Sequence, residues 1–219
     1  MIAIVDYGAG NVASVQKALT FLGNTSLITS DPGRIRAATQ VIVPGQGHFG
    51  QAMQQLRASG LDHVLREVVA RGTPFLGICL GLQLLFEGSE EAPGVAGLGL
   101  LAGHCRRFGS TNKVPHMGWN RVSTTRAGSP FDNVLGNEYY YFAHSFYAVP
   151  TNAIDAVAHT DYGGECVAAV SRGNILATQF HPEKSGEAGL RLLRHAITRG
   201  DGAFEATMRV RIVRPSGGY

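Results

Sequence analysis

The run Pro74-Phe75-Leu76-Gly77-Ile78-Cys79-Leu80-Gly81-Leu82-Gln83-Leu84-Leu85-Phe86 constrains this chain more than any other. An apolar stretch leads into Gly-x-Cys-x-Gly, and apolar residues at helical spacing follow. That is the layout of a nucleophile elbow, with cysteine in the place of serine. The flanking glycines fit because neither side of so tight a strand-to-helix turn tolerates bulk. The turn pushes one side chain out at a strained backbone position. It also puts Cys79 at a helix N-terminus, where the positive end of the peptide dipoles favours thiolate over thiol.

A cysteine nucleophile needs a base and a group that orients the base. Both are offered by Ala177-Thr178-Gln179-Phe180-His181-Pro182-Glu183-Lys184-Ser185. A short apolar strand, 174–180, ends at His181. Glu183 follows two residues on, with Pro182 stiffening the link. A carboxylate beside an imidazole fixes its tautomer and supports its positive charge. Cys79 is therefore read as nucleophile, His181 as base and acid, and Glu183 as orienter. Cys79 and His181 both follow carboxyl ends of predicted strands, where open α/β sheets place their sites.

The rest of the chain supports that architecture. Ile2 to Val5 is an apolar strand closed by Asp6-Tyr7-Gly8-Ala9-Gly10-Asn11, and Val12 to Leu22 is a helix with Asn11 near its cap. Brief strands follow at Leu27 to Thr29 and Val41 to Val43, the latter stopped by Pro44-Gly45-Gln46-Gly47. Helices are predicted at Gly50 to Arg57 and Leu61 to Arg71. Alternating βα units with continuously apolar strands indicate a buried, mostly parallel sheet flanked by helices.

The pattern changes after Phe86. Residues 88–103 are rich in glycine and turns. Short alternating or aromatic strands then read at Trp119 to Ser123, Tyr139 to Phe142, Phe146 to Val149 and Ala156 to His159. Val167 to Val170 and Ile175 to Phe180 form a hairpin turning at Arg172-Gly173-Asn174. These are antiparallel additions to the parallel core. A last helix runs from Gly186 to about Thr198. The expected division is one α/β domain over residues 1–199 and a C-terminal tail over 200–219, whose alternation allows an edge strand but which is read as mostly solvated.

Hydrophobic residues make up 44% and charged residues 16% of the 219, so the chain is globular rather than disordered. Nineteen basic against sixteen acidic residues leave +3, too little to argue for nucleic acid. Cys79, Cys105 and Cys166 form no CxxC, which disfavours a zinc site or a disulfide framework and fits a reducing compartment. Cys105 and Cys166 read as small buried hydrophobes. His48, His63, His104, His159 and His195 read as surface or structural, and the eight histidines show no metal spacing. No metal and no cofactor are expected. The N-terminus lacks a signal-peptide pattern and no run is long enough to span a membrane, so a cytoplasmic protein is expected.

Attack on a carbonyl makes an oxyanion that needs donors held in place beforehand. The Leu80 N–H, next to the nucleophile, is one. A second comes from Pro44-Gly45-Gln46-Gly47, whose glycines allow close approach and peptide reorientation.

Gly77-Ile78-Cys79-Leu80-Gly81 with His181-Pro182-Glu183 resembles class I, triad-type glutamine amidotransferases. Within them, Asp6-Tyr7-Gly8-Ala9-Gly10-Asn11, Val114-Pro115-His116-Met117-Gly118-Trp119-Asn120 and Tyr140-Tyr141-Phe142-Ala143-His144-Ser145-Phe146 resemble the glutaminase subunits of imidazole glycerol phosphate synthases. Thr160-Asp161-Tyr162-Gly163-Gly164-Glu165 also fits. The likeness runs from Met1 to about Ala196. It implies a flavodoxin-like fold and hydrolysis of glutamine to glutamate and ammonia. It implies glutamine bound near Gly45, Gly47, Gln83, His144 and Ser145. It further implies a heterodimeric (β/α)₈ cyclase partner, facing Trp119, Tyr141 and Lys184. That partner takes the ammonia internally and makes imidazole glycerol phosphate and an aminoimidazole carboxamide ribotide in histidine biosynthesis. The alternative is a related glutaminase feeding another acceptor, such as a sugar-amination enzyme. A noncatalytic scaffold on the same fold is disfavoured by the intact triad. Gln46 departs from the resemblance, since Val often stands there.

Overall fold

Ile2 and Ile4 pack on one side of the first strand and Ala3 and Val5 on the other, and all four are buried. Side chains alternate across a strand, so a strand apolar at every position must be covered on both faces. The computed structural model describes residues 1–8, 10–110, 112–124 and 134–198, and shows how that is done.

The first half alternates strand and helix: β1 (Ile2–Val5), α1 (Val12–Phe21), β2 (Ser26–Thr29), α2 (Pro32–Arg36), β3 (Gln40–Gly45), α3 (Phe49–Ala58), α4 (Leu61–Ala70), β4 (Phe75–Cys79) and the single-turn α5 (Leu80–Gln83). The second half is mostly strand: β5 (Gly88–Ser89), β6 (Gly103–Arg107), β7 (His116–Arg121), β8 (Ser123–Thr124), β9 (Tyr139–His144), β10 (Phe146–Pro150), β11 (Ala156–Asp161), β12 (Glu165–Arg172) and β13 (Ile175–Thr178). The helix α6 (Gly186–Thr198) closes the described chain.

Among the described residues the main sheet has eight strands in the order β2-β1-β3-β4-β13-β12-β11-β8. The pairs from β2 to β13 are parallel and the rest antiparallel. The parallel part has the flavodoxin-like order, with β13 as its fifth strand. A hairpin at Gly173-Asn174 reverses the sheet, since Arg172 pairs with Ile175. Two smaller sheets are formed by β10-β6-β5 and by the ribbon β7-β9.

One core holds Ile35 of α2, Phe49, Met53 and Leu56 of α3 and Leu61 and Leu65 of α4 against Val41, Val43 and Phe75. The other holds Val15 and Leu19 of α1, Leu192 and Leu193 of α6, and Tyr140 and Phe142 of β9 against Ile42, Leu76 and Ile78. Each such side chain contributes about 1.5–3 kcal/mol by leaving water. Asn11 caps α1 as expected, its Oδ1 accepting the Ser14 N–H at 3.2 Å.

Several boundaries differ from the sequence reading. β3 runs on through Pro44 and Gly45, because Gly45 pairs beside Cys79. The helical pattern read between Cys79 and Phe86 is a single turn, because the carbonyls of Leu84, Leu85 and Phe86 accept from the N–H groups of Leu98, Leu100 and Gly99 instead. The strand before His181 ends at Thr178. The helix α2 was not expected; Asp31 caps it, Oδ1 accepting the Arg34 N–H at 2.8 Å, with Pro32 in its first turn. The strands β5 and β6 were not expected either. The C-terminal tail lies outside the described residues.

Candidate active site

Cys79 adopts φ 56° and ψ −108°, a conformation non-glycine residues avoid. It is held there by backbone packed on either side. A Cβ on Gly77 would lie 2.8 Å from the Gly81 carbonyl oxygen and 3.1 Å from Ala177 Cβ. A Cβ on Gly81 would collide with the Val43 carbonyl oxygen. Gly-x-Cys-x-Gly is therefore a steric requirement of the elbow, as the sequence reading held. Strain of this kind costs about 1–3 kcal/mol and persists only where surrounding packing imposes it.

His181 reaches this sulfur from the other end of the chain. Its N–H donates to the Tyr141 carbonyl at 2.9 Å. The Ser185 hydroxyl donates to the His181 carbonyl at 2.6 Å and accepts the Tyr141 N–H at 3.0 Å. Strand β9 and Ser185 thus clasp the loop after β13. The His181 Nδ1 meets Glu183 Oε1 at 2.8 Å. A carboxylate only accepts, so Nδ1 carries the proton and Nε2 is left for the sulfur, which lies within hydrogen-bonding reach. Both side chains of the pair are 3% exposed or less. Burial opposes a charged ring here; the hydrogen bond and negative charge of the Cys79 sulfur, and then those of Glu183, outweigh it and raise His181 to about 10.

A pocket of about 410 Å³ opens over the sulfur. Cys79, Leu80, Gln83 and His181 line it together with Gln46, Gly47, Tyr141, His144, Ser145 and Lys184. Most of the site residues read from sequence therefore meet in one cavity. Gly45 and Glu183 stand behind the wall. A Cβ on Gly45 would lie 2.5 Å from Tyr7 Oη and 2.7 Å from Leu80 Cβ, so the strand fits tightly against the elbow. Trp119 is 57% exposed, outside the pocket, with its ring edge-on to Tyr141 at 6.2 Å.

Other participants were not singled out. Tyr7 is buried and its hydroxyl donates to the Pro44 carbonyl at 3.0 Å. Burial, then the charge of Cys79, push its phenol well up. Gln179, fully buried, points its amide nitrogen at Cys79 Sγ at 3.9 Å. His116 Nδ1 meets His144 Nε2 at 3.1 Å, and burial depresses the two rings to about 4 and about 3. Gln179 and Ser185 sit in the run that carries His181 and Glu183, so proximity in sequence was their only signal. Cys105 and Cys166 are buried and outside the pocket. Among the described residues no group of three His, Cys, Asp or Glu side chains could hold a metal ion, and no helix is long and apolar enough to cross a membrane.

Residues 3–198 match the family model described as glutamine amidotransferase class-I. The chain is similar to "Imidazole glycerol phosphate synthase subunit HisH" of Moorella thermoacetica, 51% identical over 194 residues that span 89% of this chain and 92% of the relative. It is similar to the protein of that name from Methanothermobacter thermautotrophicus, 50% identical, covering 90% and 98%. Its fold resembles that of a solved glutamine amidotransferase, with a TM-score of 0.74 at 21% identity over 92% of this chain and 100% of that one.

Proposed function

Because the chain belongs to the class-I glutamine amidotransferase family, we propose that Cys79, His181 and Glu183 form a triad that hydrolyses the side-chain amide of glutamine. The protein is a glutaminase, the amidotransferase subunit of an imidazole glycerol phosphate synthase in histidine biosynthesis. One observation carries the assignment of roles: a strained, pocket-facing cysteine within reach of a histidine that a buried carboxylate holds at 2.8 Å.

The steps follow from that geometry. The Cys79 thiolate attacks the amide carbon, and the carbonyl oxygen becomes an oxyanion beside the Leu80 N–H and the Gln46-Gly47 backbone. His181 gives its proton to the departing nitrogen, which leaves as ammonia. The thioester that remains is attacked by water, with His181 now taking the proton, and glutamate is released. Glu183 keeps the ring in one tautomer throughout. Gln83, His144 and Ser145 border the space for the glutamine backbone. The glycines around Gln46 let its peptide reorient to complete the oxyanion site.

Ammonia loses its nucleophilic lone pair once protonated in water, which favours a shielded transfer to the cyclase. The outer face of the β7-β9 ribbon suits the docking of that partner, which we take to be a (β/α)₈ barrel forming a heterodimer with this chain. Met117, Trp119 and Tyr139 are 57–65% exposed there, beside the pocket mouth. Lys184 lies 5.9 Å from the Tyr141 ring at the same edge. Exposed apolar side chains grouped on one ribbon face mark an interaction surface.

The test is a glutaminase assay with and without the cyclase and its ribonucleotide substrate. The expected result is low turnover alone and stimulation by the liganded partner. Labelling of Cys79 by an electrophilic glutamine analogue is expected in the intact protein. Full turnover in Cys79→Ala overturns the triad; equal turnover with and without partner overturns the reorientation of the Gln46 peptide.

A further inference from the structure

A backbone carbonyl oxygen only accepts hydrogen bonds, so whatever it contacts must donate. The carbonyl of Phe146 contacts two side chains of the site, at 2.7 Å to Gln83 Nε2 and 2.9 Å to His144 Nδ1. It therefore fixes the orientation of one amide and the tautomer of one imidazole.

The first arm ends on the nucleophile. Gln83 Nε2 uses one hydrogen on Phe146 and offers the other to Gln179 Oε1 at 3.1 Å. With its oxygen committed, Gln179 must turn its NH₂ group the other way, where Cys79 Sγ lies at 3.9 Å. Gln179 is fully buried and Gln83 is 4% exposed, so water does not compete for these bonds. The second arm is fixed in the same way. His144 Nε2 must accept, so His116 Nδ1 donates to it, and His116 Nε2 accepts from Asn120 Nδ2 at 3.3 Å. Both rings stay neutral, and no positive charge from them reaches the sulfur.

We propose that Gln179 is a further functional residue of this site, a fixed amide donor that stabilises negative charge on the Cys79 sulfur and is aimed there by the Phe146 carbonyl through Gln83. A donor to a charged acceptor is worth more than one between neutral groups, and it favours the ionised form. A second donor beside His181 stabilises the thiolate before it attacks and again when it leaves the thioester, and so leaves His181 free for proton transfer. Gln179 thereby separates two duties that an imidazole alone would have to combine.

The inference rests on Cys79 being the nucleophile but not on glutamine being the substrate. Its test is alkylation of Cys79 by iodoacetamide across pH, without glutamine, read by mass spectrometry on the peptide that holds Cys79. Other titratable groups interact with the sulfur or line its pocket. Tyr7 approaches from the turn after β1, His181 with Glu183 from the loop after β13, His144 from β9, and Lys184 and Glu91 from the pocket wall. All are unchanged in the variants used. In Gln179→Glu the midpoint of the alkylation profile is expected to move up by about one pH unit, with about tenfold slower labelling at neutral pH. Gln179→Leu is expected to shift it in the same direction by less. Midpoints equal to that of the unsubstituted protein overturn the proposal. Should neither variant fold, the unsubstituted protein decides by NMR. The Gln179 side-chain amide signal is expected to move with thiolate formation and to lose that movement in Cys79→Ala; a signal indifferent to the sulfur overturns it. A glutaminase assay that failed while the alkylation shift held would count against the substrate and leave Gln179 in place.

Discussion

Gly81 and Val43 lie so close that a single added carbon on Gly81 would enter the Val43 carbonyl oxygen. The contact joins the elbow to the neighbouring strand β3, which carries Gly45 and leads to Gln46. Gly81→Ala is expected to cost about 1–3 kcal/mol by overpacking, and to lower glutaminase turnover further by displacing the Leu80 N–H. Gly136→Ala, at a position with open space around it, is the control and is expected to be near neutral. Urea unfolding midpoints and turnover of the two variants check this. Equal stability would mean that the elbow yields to the clash.

The strained backbone of Cys79 separates stability from activity. Cys79→Ala and Cys79→Gly both remove the sulfur and are expected to be inactive. Glycine relieves the positive φ of 56°, while alanine keeps it. Relief of about 1–3 kcal/mol exceeds the extra chain entropy of glycine, about 0.5–1 kcal/mol. The glycine variant is therefore expected to unfold at the same or a higher urea concentration than the alanine variant. The reverse order would mean that the elbow holds no strain.

The pairing of His181 with Cys79 and Glu183 makes part of the stability depend on alkaline pH. The folded ring titrates at about 10, above its ordinary 6.5, in spite of burial, because the sulfur and the carboxylate hold its proton. A raised folded value means that the protonated ring stabilises the fold in full below 6.5, and that this is lost as pH rises through about 10. Glu183→Gln is expected to lower the ring's titration, followed by its NMR signals, and to flatten the fall in unfolding free energy over the same range. A ring titrating at its unperturbed value in the parent protein would contradict the arrangement.

His116 and His144 act with the opposite sign. Burial is the main cause of their depression to about 4 and about 3. Their neutral forms stabilise the fold above 6.5, and this is lost as pH falls below it toward those values. The protein is expected to lose stability between about pH 7 and pH 4.5, and His116→Gln, which has no ring to protonate, is expected to lose less over that interval. Chemical denaturation at the two pH values measures the difference.

Much of the parallel half was legible in the chain. β1, α1, α3, α4 and β4 are marked by apolar spacing, and Asn11 marks the start of α1. The elbow was legible because steric demand leaves no freedom at Gly77 and Gly81. The short helix α5 was not, because leucines at helical spacing say nothing of carbonyls taken by a loop fourteen residues on. Pro44 and Gly45 read as a turn, yet pairing with β4 keeps them in the strand. Tyr7, His116 and Gln179 lie in runs that the sequence marks, but nothing in those runs gives each its role, since a buried polar residue is distinguished only by the partner that satisfies it.

By itself the sequence determined the local chemistry: a cysteine at a turn that admits no other shape, and a histidine with its carboxylate two residues on. Those follow from covalent spacing and from sterics between near neighbours. Only the tertiary structure decided that β4 and β13 lie side by side, which brings Cys79 and His181 together across about a hundred residues. It also decided which way each buried amide and imidazole points, because a single carbonyl, that of Phe146, sets the direction of hydrogen bonds no stretch of sequence contains.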